Sequence, residues 1–145
     1  MKIGVLSDTH DSLPAQVLEA MREADEIWHL GDVTRPFILS SLQDLGIPLQ
    51  VVAGNCDHNV EWPETLRLER MGIRFYLIHI PLYRAPEGVD VLLHGHTHMP
   101  RDEMIEGCRF MNPGAVAGSY KGSPHGFAMM TLSETGSIGW ERLEL

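Results

Sequence analysis

Cysteine is scarce in this chain: there are two, Cys56 and Cys108. They lie far apart and in no paired pattern, so both are read as reduced thiols and the compartment as cytoplasmic. Basic residues are also few, 11 lysines and arginines against 20 acidic residues, a formal net charge of −9. That balance disfavours a nucleic-acid backbone as partner, because such a partner needs a basic face. It leaves room for a phosphate-bearing substrate if bound cations supply positive charge locally. No hydrophobic run reaches the length of a membrane span, so no membrane partner is expected. The apolar opening Lys2 to Leu6 meets Ser7-Asp8 too soon for a signal peptide. Low-complexity tracts, charge blocks, internal repeats and linker-like stretches are missing as well. The 145 residues are therefore read as a single domain over 1–145, long enough to bury about 70% of its unfolded surface.

What is present is an ordered alternation. Lys2 to Leu6 reads as a strand ending in the polar run Ser7-Asp8-Thr9-His10-Asp11. Ser12 reads as the N-cap of a helix with Pro14 in its first turn. Val17, Leu18 and Met21 share one face of that helix. Glu26 to Leu30 is a second strand closed by Gly31-Asp32, Phe37 to Leu45 a second helix, and Leu49 to Ala53 a third strand followed by Gly54-Asn55-Cys56-Asp57-His58. An alternation of strand and helix calls for a parallel sheet. The pattern then changes. Thr65 to Arg70 alternates apolar and polar, Met71-Gly72 makes a tight turn, and Ile73 to His79 completes a hairpin. Val89 to Leu93 is a buried strand. Met104 to Met111 forms a hairpin around Glu106-Gly107, Asn112-Pro113-Gly114 turns, and Phe127 to Leu132 pairs with Ile138 to Leu145. Parallel units followed by hairpins suggest two packed sheets with helices outside.

The buried strand Val89 to Leu93 runs into His94-Gly95-His96-Thr97-His98. In a regular strand His96 and His98 would point to opposite faces; in an irregular loop they can turn toward one point. Imidazole is the commonest protein metal ligand near neutral pH. Other polar loops stand at other strand ends and hold Asp8 with His10, Asp32, Asn55 and His79. In open α/β sheets, ligands gather at the carboxyl ends of strands. Seven nitrogen and oxygen donors exceed one tetrahedral zinc and suit two transition-metal ions, of Mn, Fe, Zn, Ni or Co, better than Ca or Mg. His29 and His94 fall inside strands and read as packed histidines, His58 and His125 as solvated loop residues. Arg35, Arg84 and Arg101 read as surface charges that could clamp phosphate. The eight methionines read as core filler.

Together, Asp8-Thr9-His10, Gly31-Asp32, Gly54-Asn55-Cys56-Asp57, His79 and Gly95-His96-Thr97-His98 resemble the signature of the calcineurin-like metallophosphoesterases. The Cys in the third motif and the Asn112-Pro113-Gly114 turn resemble the family's compact bacterial and archaeal phosphodiesterase branch; the retromer scaffold subunit with this fold is another relative. The resemblance implies an α/β fold, a four-layer αββα sandwich of two mixed sheets flanked by helices. It implies a two-metal centre in which Asp8, His10 and His98 hold one ion, Asn55, His79 and His96 the other, and Asp32 bridges, with Mn²⁺ the expected metal. It makes Asp32, Asn55, Cys56 and Asp57 the candidate catalytic positions. The implied reaction is hydrolysis of a small phosphodiester by in-line attack of a metal-bridging hydroxide. Cys56 stands where many members have histidine, and a thiol with a pKa near 8.5 is a poorer general acid at neutral pH; taken alone it reads as a small buried residue. Asp57 reads equally as support for its loop or as surface charge. Ile80 follows His79 where the family usually has glycine. The second function considered is a non-catalytic scaffold of the same fold that binds protein partners, and retention of all seven donors speaks against it. Self-association of the chain is left open.

Overall fold

The computed structural model describes residues 1–118 and 122–145. The elements are β1 (Lys2–Leu6), α1 (Ala15–Met21), β2 (Glu26–His29), α2 (Pro36–Gln43), β3 (Leu49–Val51), β4 (Thr65–Arg70), β5 (Ile73–Ile78), β6 (Val91–Leu93), β7 (Arg101–Ile105), β8 (Cys108–Asn112), β9 (Gly126–Leu132) and β10 (Ile138–Glu144). They form two mixed five-stranded sheets, ordered β10-β9-β1-β2-β3 and β4-β5-β6-β8-β7. In the first, β1, β2 and β3 run parallel and the β9–β10 hairpin closes on β1 antiparallel, pairing Lys2 with Thr131. In the second, β5, β6 and β8 run parallel between two antiparallel edges.

Alternation decides which side chains meet. Inward residues of the two sheets, among them Val5, Trp28, Leu30, Phe75, Leu77, Leu93, Met111 and Met130, interlock as the main apolar layer. The Trp28 indole stands edge-on to Phe75, ring centroids 5.0 Å apart. An ion pair crosses the same seam: Arg70 Nε donates to Glu26 Oε1 at 3.0 Å, and Glu26 also accepts from the Trp28 indole. Both helices lie over the first sheet, where Val17, Met21, Ile38 and Leu42 bury against Leu6, Ile27, Phe127 and Met129. The outer face of the second sheet, with Leu92 and Phe110, is covered by Ala85 and Val89 of the segment after β5. The outer layer on that side is thus a strap of chain rather than a helix. No helix among the described residues is long and apolar enough to cross a membrane.

Two local expectations are corrected. Helix α1 starts at Ala15 with Pro14 as its cap and no side-chain cap bond. Ser12 instead closes a turn, its amide donating to Thr9 O at 2.9 Å, because the chain must double back there to bring His10 inward. The methionines divide: Met21, Met111 and Met130 are core, whereas Met71, Met99 and Met104 are exposed.

Candidate metal centre

The parallel strands of both sheets end at one edge, and their loops lace together. Asp8 N donates to Gly31 O, His10 N to Asp32 O, and Gly95 N to His79 O, each at 3.0–3.1 Å. The strand trajectories alone do not aim the donors. Asp8, His10, Asp32, His96 and His98 all have positive φ, between 46° and 68°. For non-glycine residues that conformation costs of order 1–3 kcal/mol each and collects where function requires it. Two glycines permit the close approach. A Cβ on Gly95 would lie 2.0 Å from Ser7 Oγ, and one on Gly54 2.2 Å from Asp32 Oδ1.

Five of the seven expected donors converge. Asp8 Oδ1 lies 3.2 Å from His98 Nε2 and 3.8 Å from both His10 Nε2 and His79 Nε2. Asp32 Oδ2 lies 3.3 Å from His79 Nε2 and 4.0 Å from His10 Nε2. Asn55 and His96 meet each other at the exposed mouth, where His96 Nδ1 is 2.9 Å from Asn55 Oδ1. The His96 ring stands 5.3 Å from that of His79. Ile80 keeps a right-handed or extended backbone, absent from the positive-φ residues, so a β-branched residue there imposes no strain on His79.

The interior of the cluster fits a cation. Asp8 Oδ1 and His79 Nε2 are buried and find no hydrogen-bond partner among the described residues. The His79 Nδ1–H donates to Leu30 O at 2.7 Å, which turns the other ring nitrogen toward the two carboxylates. Burial works against the charge on Asp32, yet His79 and the Cys56 amide, donating to Oδ1 at 2.8 Å, hold its carboxyl well below the usual range. Asp8 is likewise lowered: burial opposes the charge, and His98 and Ser7 outweigh it. His98 is raised chiefly by Asp8. His79 is raised because Asp32 and Asp8 overcome its burial. Two ionised carboxylates among three imidazoles therefore demand positive charge, which protonated histidines or bound cations can supply. The groups Asp8/His10/His98, Asp8/Asp32/His79 and His10/Asp32/Cys56 each bring ligand atoms within 4.8 Å of one another; the first two are N/O sets suited to transition metals.

Supporting residues are as informative as the donors. Asp57 accepts from three backbone amides, those of Asp32, Gly54 and Thr34, at 2.8–2.9 Å, and so ties the second and third motif loops together. Asn112 donates to Gly95 O and Thr97 Oγ1 and braces the histidine loop. Cys56 is exposed, not the small buried residue its type suggests. Partial desolvation and the neighbouring Asp32 push its thiol up, so it keeps its proton at neutral pH. His125 is not merely solvated: its Nε2 lies 2.7 Å from Gly118 O, and Gly118 sits against His10 and His98. The arginines are held elsewhere, Arg35 by Asp11, Arg84 by Glu106, and Arg101 by Glu103 and His94.

Sequence reasoning passed over Ser7, whose hydroxyl donates to Asp8 Oδ2 at 2.6 Å. It also passed over Thr9, whose Oγ1 lies 3.1 Å from the fully buried His29 Nε2. Both flank motif residues, and a polar side chain at the buried end of an apolar strand was the available signal.

The two-sheet α/β sandwich thus carries a carboxylate–imidazole cluster at its shared strand ends. Residues 1–135 match the calcineurin-like phosphoesterase superfamily domain, and the chain belongs to that family. It is 36% identical over 133 residues to a probable metallophosphoesterase of Methanothermobacter thermautotrophicus, covering 79% of this chain and 77% of that one. It is 32% identical over 164 residues to the phosphodiesterase YfcE of Escherichia coli, covering 90% and 87%. Zinc-complexed Vps29 of Entamoeba histolytica has the same fold, with a TM-score of 0.81, 21% identity and 99% of both chains covered.

Proposed function

We propose that the protein is a dinuclear metal-dependent phosphodiesterase. The observation that carries this reading is the convergence of buried ligand atoms, with Asp8 Oδ1 and His79 Nε2 lying 3.8 Å apart and His98 and Asp32 beside them. Asp8, His10 and His98 would hold one ion, Asn55, His79 and His96 the other, and Asp32 would bridge, with Mn²⁺ the first metal to try. When bound, two such ions supply Lewis acidity and an activated water at neutral pH. The chain itself supplies the rest. Asp32, close to both His10 and His79, offers the shared negative charge that offsets cation repulsion. Asp57 fixes the Asp32 backbone, Asn112 fixes the loop of His96, and His29 fixes Thr9 between Asp8 and His10. Because Arg35, Arg84 and Arg101 are engaged elsewhere, a diester monoanion fits better than a monoester dianion. The scaffold alternative shares only the fold with Vps29, and retention of the donor set favours catalysis.

The test is to strip the protein, titrate Mn²⁺, count ions per chain by elemental analysis and follow hydrolysis of bis(p-nitrophenyl) phosphate. Two ions and metal-dependent turnover are expected. Asp32→Asn, which removes the shared charge, should lose metal and at least about 100-fold of the activity together. Full occupancy in that variant would overturn the bridging role, and no turnover with any transition metal would favour the scaffold.

A further inference from the structure

A cavity of about 310 Å³ opens beside the cluster, bordered on one side by Asn55 and His79. It occupies the seam where the end of β3 meets the β4–β5 edge, and Ala53, Ile78 and Ile80 give it an apolar wall. The Ala53 amide donates to Pro63 O at 2.8 Å and Thr65 pairs with Ile78, which brings Glu64 and Thr65 into the lining. The charged side chains lining it are two carboxylates, Asp57 and Glu64. Asp57 is saturated by the three backbone amides described above. Glu64 carries no hydrogen bond or ion pair among the described residues. The cavity therefore offers apolar contact beside the cluster and, at Glu64, one free negative charge.

A phosphodiester has two ester arms, and a substrate gripped at the cluster would send one of them here. An arm ending in phosphate or carboxylate would meet Glu64 as a like charge; a short carbon chain ending in an ammonium would find the lining complementary. Resting on the phosphodiesterase reading, we propose that this cavity is the subsite for one ester arm and that Glu64 selects amino-alcohol phosphodiesters over those with an anionic arm.

The Mn²⁺-loaded protein can be assayed with p-nitrophenyl phosphorylcholine and with the p-nitrophenyl diester whose other arm ends in a carboxylate. At least fivefold higher kcat/KM for the choline arm is expected, weakening with added salt. Glu64→Lys should reverse the order. Calorimetry gives a readout apart from turnover: phosphorylcholine should bind the loaded protein at least fivefold more tightly than methyl phosphate, and Glu64→Lys should erase the difference. Hydrolysis of bis(p-nitrophenyl) phosphate with no arm preference, or a preference untouched by Glu64→Lys, overturns the subsite alone. If no diester is hydrolysed, the phosphodiesterase reading fails, and the subsite falls with it unless calorimetry still shows the Glu64-dependent difference.

Discussion

Two histidines that donate nothing to the cluster shape its response to acid. His29 is fully buried, its Nδ1 accepting from Gly31 N. Burial lowers its pKa to about 4. His94 is lowered to about 4 for the same reason, its Nδ1–H on Gly95 O and its Nε2 accepting from Arg101. Each folded pKa lies below the unfolded value near 6.5, so each contributes stability that is complete above 6.5 and lost as pH falls toward 4. Raised His79 and His98 have the opposite sign in the metal-free chain: their contribution is complete below about 6.5 and lost as pH rises through their folded values. Urea unfolding of metal-free protein isolates the first effect. Between pH 7.5 and 5.0, His29→Gln should lose about 2 kcal/mol less stability than the parent; equal losses would mean that His29 titrates normally. At this scale the sequence was informative about which side chains converge, since aspartate and histidine at strand ends stand out. It was uninformative about exposure: nothing in Gly54-Asn55-Cys56-Asp57 reveals that Cys56 faces solvent while Asp57 caps three amides.

At the scale of elements, turn chemistry was the most legible feature. Met71-Gly72 joins β4 to β5 and Glu106-Gly107 joins β7 to β8, with both residues of each pair at positive φ. That is the mirror-image turn that matches strand twist and favours asparagine before glycine. Met71 is exposed and strained there. Met71→Asn should raise stability by about 0.5–1 kcal/mol, measured by denaturant midpoint at constant slope, and leave diester turnover unchanged. A lower midpoint would show that Met71 contributes packing that outweighs its backbone cost. The cap of α1 was less legible, because Ser12 has the composition of a cap while the site demands a turn at that point.

For the whole molecule, alternating hydrophobicity announced two sheets but not how the last hairpin is placed. Pairing of β9 with β1 joins Lys2 to Thr131, and contacts so distant in sequence leave no local trace. The cluster depends on both sheets: Asp8, His10, Asp32 and Asn55 follow strands of the first, His79, His96 and His98 strands of the second. Cations bound between them would cross-link the sheets at one edge. Mn²⁺ at about a thousandfold above its Kd should stabilise the fold by about 4 kcal/mol, a rise in Tm of about 10 °C over chelated protein by scanning calorimetry. A Tm indifferent to chelation would mean that the sheets are held without help from the centre.

The strand that delivers Asp8 has β9 on its flank. On a ribosome that neighbour emerges more than a hundred residues later, so the first sheet stays open along that flank through most of synthesis.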